Sequence, residues 1–330
     1  MKVAITGVTG FVGGALAAAL TARGDRVTAL VRPSSPCKAG RGLIPINAEL
    51  VEWCEGDVTN PASLRGAFDG ADCLIHAAGM LGRADVPEAT YFCLHEQGTF
   101  HVLNEAKRAG VPRILYVSSP GVLGPIDGLP ADETAPLAPS NPYERSKAAA
   151  EQVALTFARA GLPIVIVRPE FIYGPGDLHV LGLFKAVQKG TFFTINGGGS
   201  TCHPTYIKDA VGGMLLAMER GRFSHIYHIT GPTPVTFREL GETIAAVLDV
   251  PQPKLDFPRP LVWLGAMVLE TAGKIARCSP PLSRTGVAFF SENRRFSWQK
   301  AHDELGYTPH FDLKRGVVKT IAWYRKNGLL

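Results

Sequence analysis

The sequence predicts an α/β protein built on a doubly wound parallel sheet, with a smaller, discontinuous C-terminal lobe. Three observations carry this expectation. Up to about residue 170, short β-branched runs alternate with helical stretches. The first strand ends in glycines that lead straight into an alanine-rich helix. Beyond residue 171, Pro and Gly concentrate and the alternation breaks down. The expected division is a nucleotide-binding sheet domain over residues 1–170, with 201–230 returning to it, and a substrate lobe made of 171–200 and 231–330. A chain of 330 residues, 46% of them apolar, is long enough for this arrangement and too apolar for disorder. The net charge of +5 is small and scattered, which excludes nucleic acid as the expected partner. The six cysteines form no CxxC pair and read as buried free thiols, so neither a disulfide frame nor a metal is expected. Met1 leads directly into the first strand, so no leader peptide is expected and the cytoplasm is the default compartment.

Lys2–Ile5 is the first strand, and Thr6-Gly7-Val8-Thr9-Gly10-Phe11-Val12-Gly13 follow it. Gly7 permits a tight turn, Gly10 lets the backbone approach a pyrophosphate, and Gly13 lets the next helix pack closely on the strand. That helix, running through Ala15–Leu20, points free N–H groups and positive partial charge back at the turn. The segment therefore reads as a dinucleotide clamp, with Gly7, Thr9, Gly10, Phe11, Val12 and Gly13 against the cofactor. The second strand, Arg26–Val31, ends at Arg32-Pro33-Ser34-Ser35. An acidic residue there would chelate ribose hydroxyls and favour NAD. Arg32 instead suits a 2′-phosphate, with Ser34 or Ser35 adding hydrogen bonds, so NADP is expected. In the competing reading Arg32 stacks over the adenine and NAD is accepted as well. A third strand near Leu50–Cys54 precedes Glu55-Gly56-Asp57-Val58, and a fourth, Asp72–His76, precedes Ala77-Ala78-Gly79. Ile114–Val117 and Pro163–Val167 continue the sheet, and His225–Thr230 returns to it. Open α/β sheets collect ligands at the C-terminal ends of such strands.

Tyr143 and Lys147 open a helix after Asn141-Pro142, and a spacing of four puts phenol and ammonium on one face. A nearby ammonium is expected to lower the Tyr143 pKa toward working pH, making it a proton carrier for a carbonyl or hydroxyl. Ser119, at the tip of Ile114–Val117, can hydrogen-bond the same oxygen; its competing role is a strand-end cap.

In this order, the TGxxGFxG turn, Asp57-Val58, His76-Ala77-Ala78-Gly79, Ser118-Ser119, YxxxK and Arg168-Pro169-Glu-Phe-Ile-Tyr173-Gly-Pro-Gly176 give the chain a family likeness. Over essentially its whole length it resembles the extended short-chain dehydrogenases/reductases, in their epimerase/dehydratase and 3β-hydroxysteroid dehydrogenase-like branch. The resemblance implies a Rossmann sheet and a catalytic triad of Ser119, Tyr143 and Lys147, with Lys147 also on the nicotinamide ribose. It implies that Asp57 and Val58 meet the adenine, that Ala77, Ala78 and Gly79 line the cofactor, and that Pro169 and Ile172 lie by the nicotinamide. One departure is His95, which stands three places before Gly98-Thr99, where the family often has Asn. A proton relay through that Asn is therefore not carried over, and His95 reads as a helix residue. Family members commonly dimerise through two helices, here Phe92–Ala109 and Ala148–Arg159, so a homodimer is the expected assembly unless those faces are internal core.

The substrate is expected to be a small molecule. Relatives acting on sugar nucleotides often carry an arginine just ahead of a segment like Thr205–Asp209, whereas Ser200–Pro204 has none. A diphosphate would lack its cation there. Phe184, Phe192, Phe193 and the run Leu261–Leu269 suit core, an apolar pocket or a membrane-surface lid, and the run is too short to span a bilayer. The leading expectation is an NADP-dependent oxidoreductase acting on a secondary alcohol or ketone of an apolar substrate. Alternatives are a nucleotide-sugar epimerase or dehydratase with retained cofactor, and a non-catalytic cofactor sensor.

Overall fold

Strands buried on both faces must be covered by helices on both sides. The chain does this around a seven-stranded parallel sheet in a computed structural model that describes residues 1–33, 44–83, 85–276 and 282–330. β1 (Lys2–Thr6) feeds α1 (Phe11–Ala22), and β2 (Arg26–Val31), β3 (Val51–Glu55) and β4 (Cys73–His76) follow. α2 (Glu88–Phe92) runs through a π-turn at Cys93–Gln97 into α3 (Gly98–Arg108), and then come β5 (Ile114–Val117), α4 (Pro142–Arg159) and β6 (Ile164–Pro169).

Beyond β6 the elements shorten. β7 (Ile172–Tyr173), α5 (Leu181–Gln188), β8 (Phe193–Ile195), β9 (Thr201–Cys202) and β10 (Thr205–Tyr206) lead to α6 (Ile207–Arg220) and β11 (Ile226–Ile229). β12 (Val235–Thr236), α7 (Phe237–Leu248), β13 (Leu255–Phe257), α8 (Arg259–Ala276), α9 (Arg284–Ser291), α10 (Gln299–Leu305) and α11 (Leu313–Lys326) complete the chain. The late strands pair with one another, β7 with β10, β9 with β12 and β8 with β13, while β11 joins the main sheet beside β6.

The sheet order is β11-β6-β5-β4-β1-β2-β3, so the direction of winding reverses between β1 and β4. That reversal opens a crevice at the C-terminal strand ends, where Thr6 lies opposite His76 and Val117 opposite Val167. On one face α1 and α6 pack Leu16, Ala17, Met214 and Ala217 onto Ile5, Ile75 and Val165, and the same core continues to Tyr173, Phe184 and Tyr324. On the other, α3 and α4 bring Val102, Leu103, Ala150 and Ala154 against Leu74, Ile114 and Ile166. The alanines allow α4 close to the sheet, which sets the depth of its first turn. Asn141 starts α4 by accepting a hydrogen bond from the Glu144 N–H at 3.0 Å, and Pro142 follows at the first helical position, where no N–H is needed. Phe184 and Phe192 are buried, Phe184 edge-on to Tyr324 and Phe192 under Gly241. They are core, continuous with that of the sheet, and not a ligand wall.

Candidate active site

The glycine turn is shaped by contact. Gly7 has φ +78°, and a Cβ there would lie 2.6 Å from the Ala77 carbonyl oxygen. A Cβ on Gly13 would lie 2.2 Å from the Gly7 oxygen, so both positions require glycine. Gly10 caps α1 with no side chain on its free N–H groups and no acid in the first turn, which leaves that terminus to an anion. Thr6 Oγ1 accepts the Ala78 N–H at 3.1 Å and lies 2.7 Å from His76 Nδ1, tying Ala77, Ala78 and Gly79 to the turn. Thr9 is exposed and Phe11 and Val12 are half-buried along the start of α1. Arg32 is exposed beyond the tip of β2; Ser34 and Ser35, expected beside it, lie outside the described residues. Asp57 accepts from the Thr59 N–H and hydroxyl, both at 2.8 Å, and Val58 is buried beside Gly98.

Ser118 and Ser119 have different partners. Ser118 donates to Glu151 Oε2 at 2.6 Å, and Glu151 forms a buried ion pair with Arg168 at 2.6 Å. Ser118 is thereby spent on the scaffold. Ser119 accepts the Gly121 N–H at 3.2 Å, capping a short helical turn, and its hydroxyl faces Tyr143, where it favours the phenolate. The capping role is thus present, with the hydroxyl at the tyrosine. Lys147 donates to the Val117 carbonyl at 2.8 Å and to the Tyr116 hydroxyl at 3.3 Å.

The expected lowering of the Tyr143 pKa is overturned. Burial pushes it up to about 12; the Ser119 hydroxyl opposes this, Glu170 and Glu144 add to it, and Arg294 opposes it. Lys147, itself buried, is pushed down to about 8, with Glu151 acting against that. The physical reason is that the ammonium is directed at Val117 and Tyr116, so desolvation outweighs any stabilisation of a tyrosinate.

Three residues that pattern reading did not assign converge here. His95 is buried in the π-turn; its Nε2 accepts the Met80 N–H at 3.0 Å, its Nδ1 lies 2.8 Å from Ser146 Oγ, and its ring meets Tyr143 edge-on at 5.7 Å. Because Nε2 accepts, Nδ1 carries the proton, and burial keeps the ring neutral with a pKa of about 3. Ser146 in turn donates to the Tyr143 carbonyl at 2.7 Å. Glu170, directly after Pro169, is buried, and its pKa is raised to about 7 by burial, with Arg294 lowering and Glu144 raising it. The next residue, Phe171, has φ +33°, a strained value for a side-chain-bearing residue. Arg294 pairs with Glu144 at 2.8 Å and Glu292 at 3.5 Å, and lies over the Phe289 ring at 5.8 Å. His95 was visible as a departure from the family pattern and Glu170 as a carboxylate beside Pro169. Arg294 carried no local signal.

The Ser200–Pro204 stretch has no cation of its own, but the backbone N–H of Arg294 donates to the Thr201 carbonyl at 2.8 Å, which brings that arginine alongside, and Arg295 Nε reaches the Thr201 hydroxyl at 3.2 Å. Both guanidiniums have protein partners, Arg295 also at the Gly128 carbonyl. His203 is held between the Gly231 carbonyl and the Phe296 N–H, which makes it scaffold.

A glycine turn on an uncapped helix, with a serine, tyrosine and lysine at the same sheet edge, defines a nicotinamide-dependent short-chain dehydrogenase/reductase site. Residues 3–230 match the NAD dependent epimerase/dehydratase family, and the chain belongs to it. It is 32% identical, over 96% of its own length and 95% of the relative's, to the 4-hydroxy-2-methyl-3-oxo-4-farnesyl-3,4-dihydroquinoline-1-oxide ketoreductase of Stigmatella aurantiaca. It is 30% identical, over 84% of its length and 67% of the relative's, to a 3beta-hydroxysteroid-dehydrogenase/decarboxylase of Arabidopsis thaliana. Among solved structures, that of gox2253 superposes with a TM-score of 0.82 at 31% identity, covering 100% of this chain and 99% of the other. The members of the family are NAD(P)-dependent enzymes, and this chain is one of them.

Proposed function

We propose that the chain is an NADP-dependent oxidoreductase that interconverts a secondary alcohol and a ketone on a largely apolar substrate. The observation that carries this is the meeting of Ser119, just beyond β5, with Tyr143 and Lys147 at the start of α4, Lys147 donating to the Val117 carbonyl at 2.8 Å, at the sheet edge served by the glycine turn. NADP bound there supplies or accepts the hydride. Gly7, Thr9, Gly10, Phe11, Val12 and Gly13 hold its pyrophosphate side, and Arg32, with Ser34, takes the 2′-phosphate. Asp57 and Val58 meet the adenine, Ala77, Ala78 and Gly79 line its middle, and Pro169 and Ile172 flank the nicotinamide. In reduction Ser119 polarises the carbonyl, and Tyr143, fully protonated well below about 12, delivers its proton to the oxygen. Lys147 supplies positive charge on the same helix face as the phenolate forms, and it contacts the ribose.

The two relatives, one named for a ketone on a farnesylated ring system and one for a hydroxysteroid, support an apolar substrate. The four described cysteines are free thiols, which fits a cytoplasmic enzyme. A homodimer through α3 and α4 fits the exposed Phe100, which meets Phe157 of α4 edge-on at 5.6 Å.

The test is NADPH consumption with a panel of apolar ketones. Turnover is expected, with Tyr143→Phe lowering it by about 10²–10⁴. Unchanged turnover in Tyr143→Phe would remove the proton-donor role. Tightly retained nicotinamide with no net consumption would favour the epimerase or dehydratase reading. NADH binding tighter than NADPH, or Arg32→Ala leaving that preference untouched, would remove the NADP assignment.

A further inference from the structure

Glu170 leaves β6 beside the end of β5. Val117 lies opposite Val167, and the Ser118 N–H donates to the Val167 carbonyl at 2.8 Å, so Ser119 and Glu170 emerge from neighbouring strand ends. Glu170 is buried, and among the described residues nothing donates a hydrogen bond to its carboxyl. Arg294, Glu144, Tyr143 and Cys202 are the charged or titratable groups within its electrostatic reach. Arg294 comes to the same place from the far end of the chain. It pairs with Glu144 Oε1 at 2.8 Å, and a Cβ on Gly121 would lie 3.4 Å from both that oxygen and Ser119 Oγ, so the ion pair stands against the serine. The Arg294 side chain is only 5% exposed, yet its Nε–H has no acceptor among the described residues. Buried polar groups are nearly always paired in a folded protein, so an open donor and an open carboxyl beside Tyr143 are where a ligand's oxygen completes the set. The surroundings are apolar. Arg294 lies over the Phe289 ring at 5.8 Å, and Phe289 meets Phe171, the residue after Glu170, at 5.5 Å and Phe237 at 5.6 Å.

We propose that Glu170 and the Arg294 Nε–H form a polar subsite that selects ketones carrying a second, uncharged oxygen, a carbonyl or a hydroxyl a few bonds from the carbonyl that is reduced. Arg294 donates to that oxygen. Glu170 accepts from it when it is a hydroxyl and, protonated, donates to it when it is a carbonyl. Burial holds the Glu170 carboxyl up at about 7, so the protonated form is present at neutral pH. Charge decides against an acidic group on the substrate. Glu144 at 2.8 Å, Glu292 at 3.5 Å and Glu170 already share the Arg294 guanidinium, and a substrate carboxylate would add a fourth acid to one base. The selection rests on the oxidoreductase reading of Ser119 and Tyr143 and narrows its substrates: an apolar body, with two neutral oxygens close together at the reacting end.

NADPH consumption by the full chain tests it with three ketones of one skeleton: a cyclohexane diketone whose intervening carbon carries two alkyl groups and so cannot enolise, the monoketone lacking one oxygen, and that monoketone with a carboxylate in place of the second oxygen. The diketone is expected to exceed the monoketone in kcat/KM on the order of a hundredfold, because the monoketone leaves both protein groups unpaired, and the keto acid is expected to be the poorest of the three. Glu170→Leu should bring the diketone down toward the monoketone, whereas Glu170→Gln, which still offers a donor and an acceptor, should keep most of the preference. Arg294→Lys leaves a cation for Glu144 but drops the Nε–H, and should lower the preference about tenfold. Urea midpoints check that the variants fold. A preference untouched by Glu170→Leu, or the keto acid as the best substrate, would overturn the subsite. Calorimetric binding of the same ketones keeps the two readings apart. Diketone binding tighter than that of the monoketone, lost in Glu170→Leu and accompanied by no NADPH consumption, would leave the subsite standing and remove the oxidoreductase reading; no difference between diketone and monoketone in either measurement would remove the subsite.

Discussion

Glu170 is expected to set the pH response of the site. Four charged or titratable side chains are coupled to it: Arg294, Glu144, Tyr143 across the site, and Cys202. With its pKa near 7 the carboxyl is neutral below that value and an anion above it. Reduction requires Tyr143 to release its proton and become negative, which a neighbouring carboxylate opposes. The rate of ketone reduction should therefore fall as pH rises through about 7, by on the order of tenfold, and Glu170→Gln should flatten that limb while keeping the low-pH rate. A profile in the glutamine variant identical to the parent's would sink this assignment. At this scale the sequence was legible where the partners are close along the chain: Tyr143 and Lys147 share a helix face, and Ser119 follows its strand directly. It was not legible where partners are remote. Arg294 meets Glu144 only because the C-terminal part of the chain folds back onto the start of α4, and the Tyr143 pKa depends on burial that no spacing encodes.

Between the residue and the fold, the π-turn at Cys93–Gln97 is the element that fixes the tyrosine. A wider turn displaces one residue from the regular ladder, and such bulges recur at functional sites. Here it carries His95, whose two hydrogen bonds clasp the loop at Met80 to Ser146, and Ser146 to the Tyr143 carbonyl. Removing the ring leaves a half-buried Met80 N–H without its partner and a loosened first turn of α4. His95→Ala should lower kcat by roughly ten- to a hundredfold with little change in the KM for NADPH, and His95→Gln should restore part of it. Equal loss in KM and kcat, or no rescue, would reduce His95 to a packing residue. The main strands and α4 could be read from β-branched runs and from Asn141-Pro142, because those signals are local. The π-turn could not, since its sequence is that of an ordinary helix, and neither could the outward turn of the apolar α8, which depends on what α9 leaves uncovered.

Across the whole molecule, four histidines are buried and neutral, and their hydrogen bonds explain why. The Met80 N–H points into His95, the Phe296 N–H into His203 and the Arg168 guanidinium toward His228, so protonation would set donor against donor; His76 lies between Thr6 and Thr99. Burial lowers their pKa values to about 3 for His76, His95 and His228 and about 4 for His203. In the unfolded chain each titrates near 6.5, so below that pH the unfolded state binds more protons and stability falls as pH falls. Glu170 has the opposite sign: its raised folded pKa makes the native state bind the extra proton between its unfolded value of 4.5 and about 7. Burial raises Glu133, Asp177 and Glu292 in the same direction as Glu170. Between about pH 6.5 and about pH 5.5 the unfolded histidines, partly titrated, take up about three protons against about one on Glu170, a loss of roughly 3 kcal/mol over that unit, which is a large part of a typical domain's stability. The urea midpoint should accordingly drop steeply from about pH 7.5 to about pH 5.5, and His203→Asn should make that slope shallower by about one proton whatever it does to the midpoint itself. A midpoint that stays level or rises over that interval would mean the histidines are not held neutral, and the buried hydrogen bonds assigned to them would be wrong.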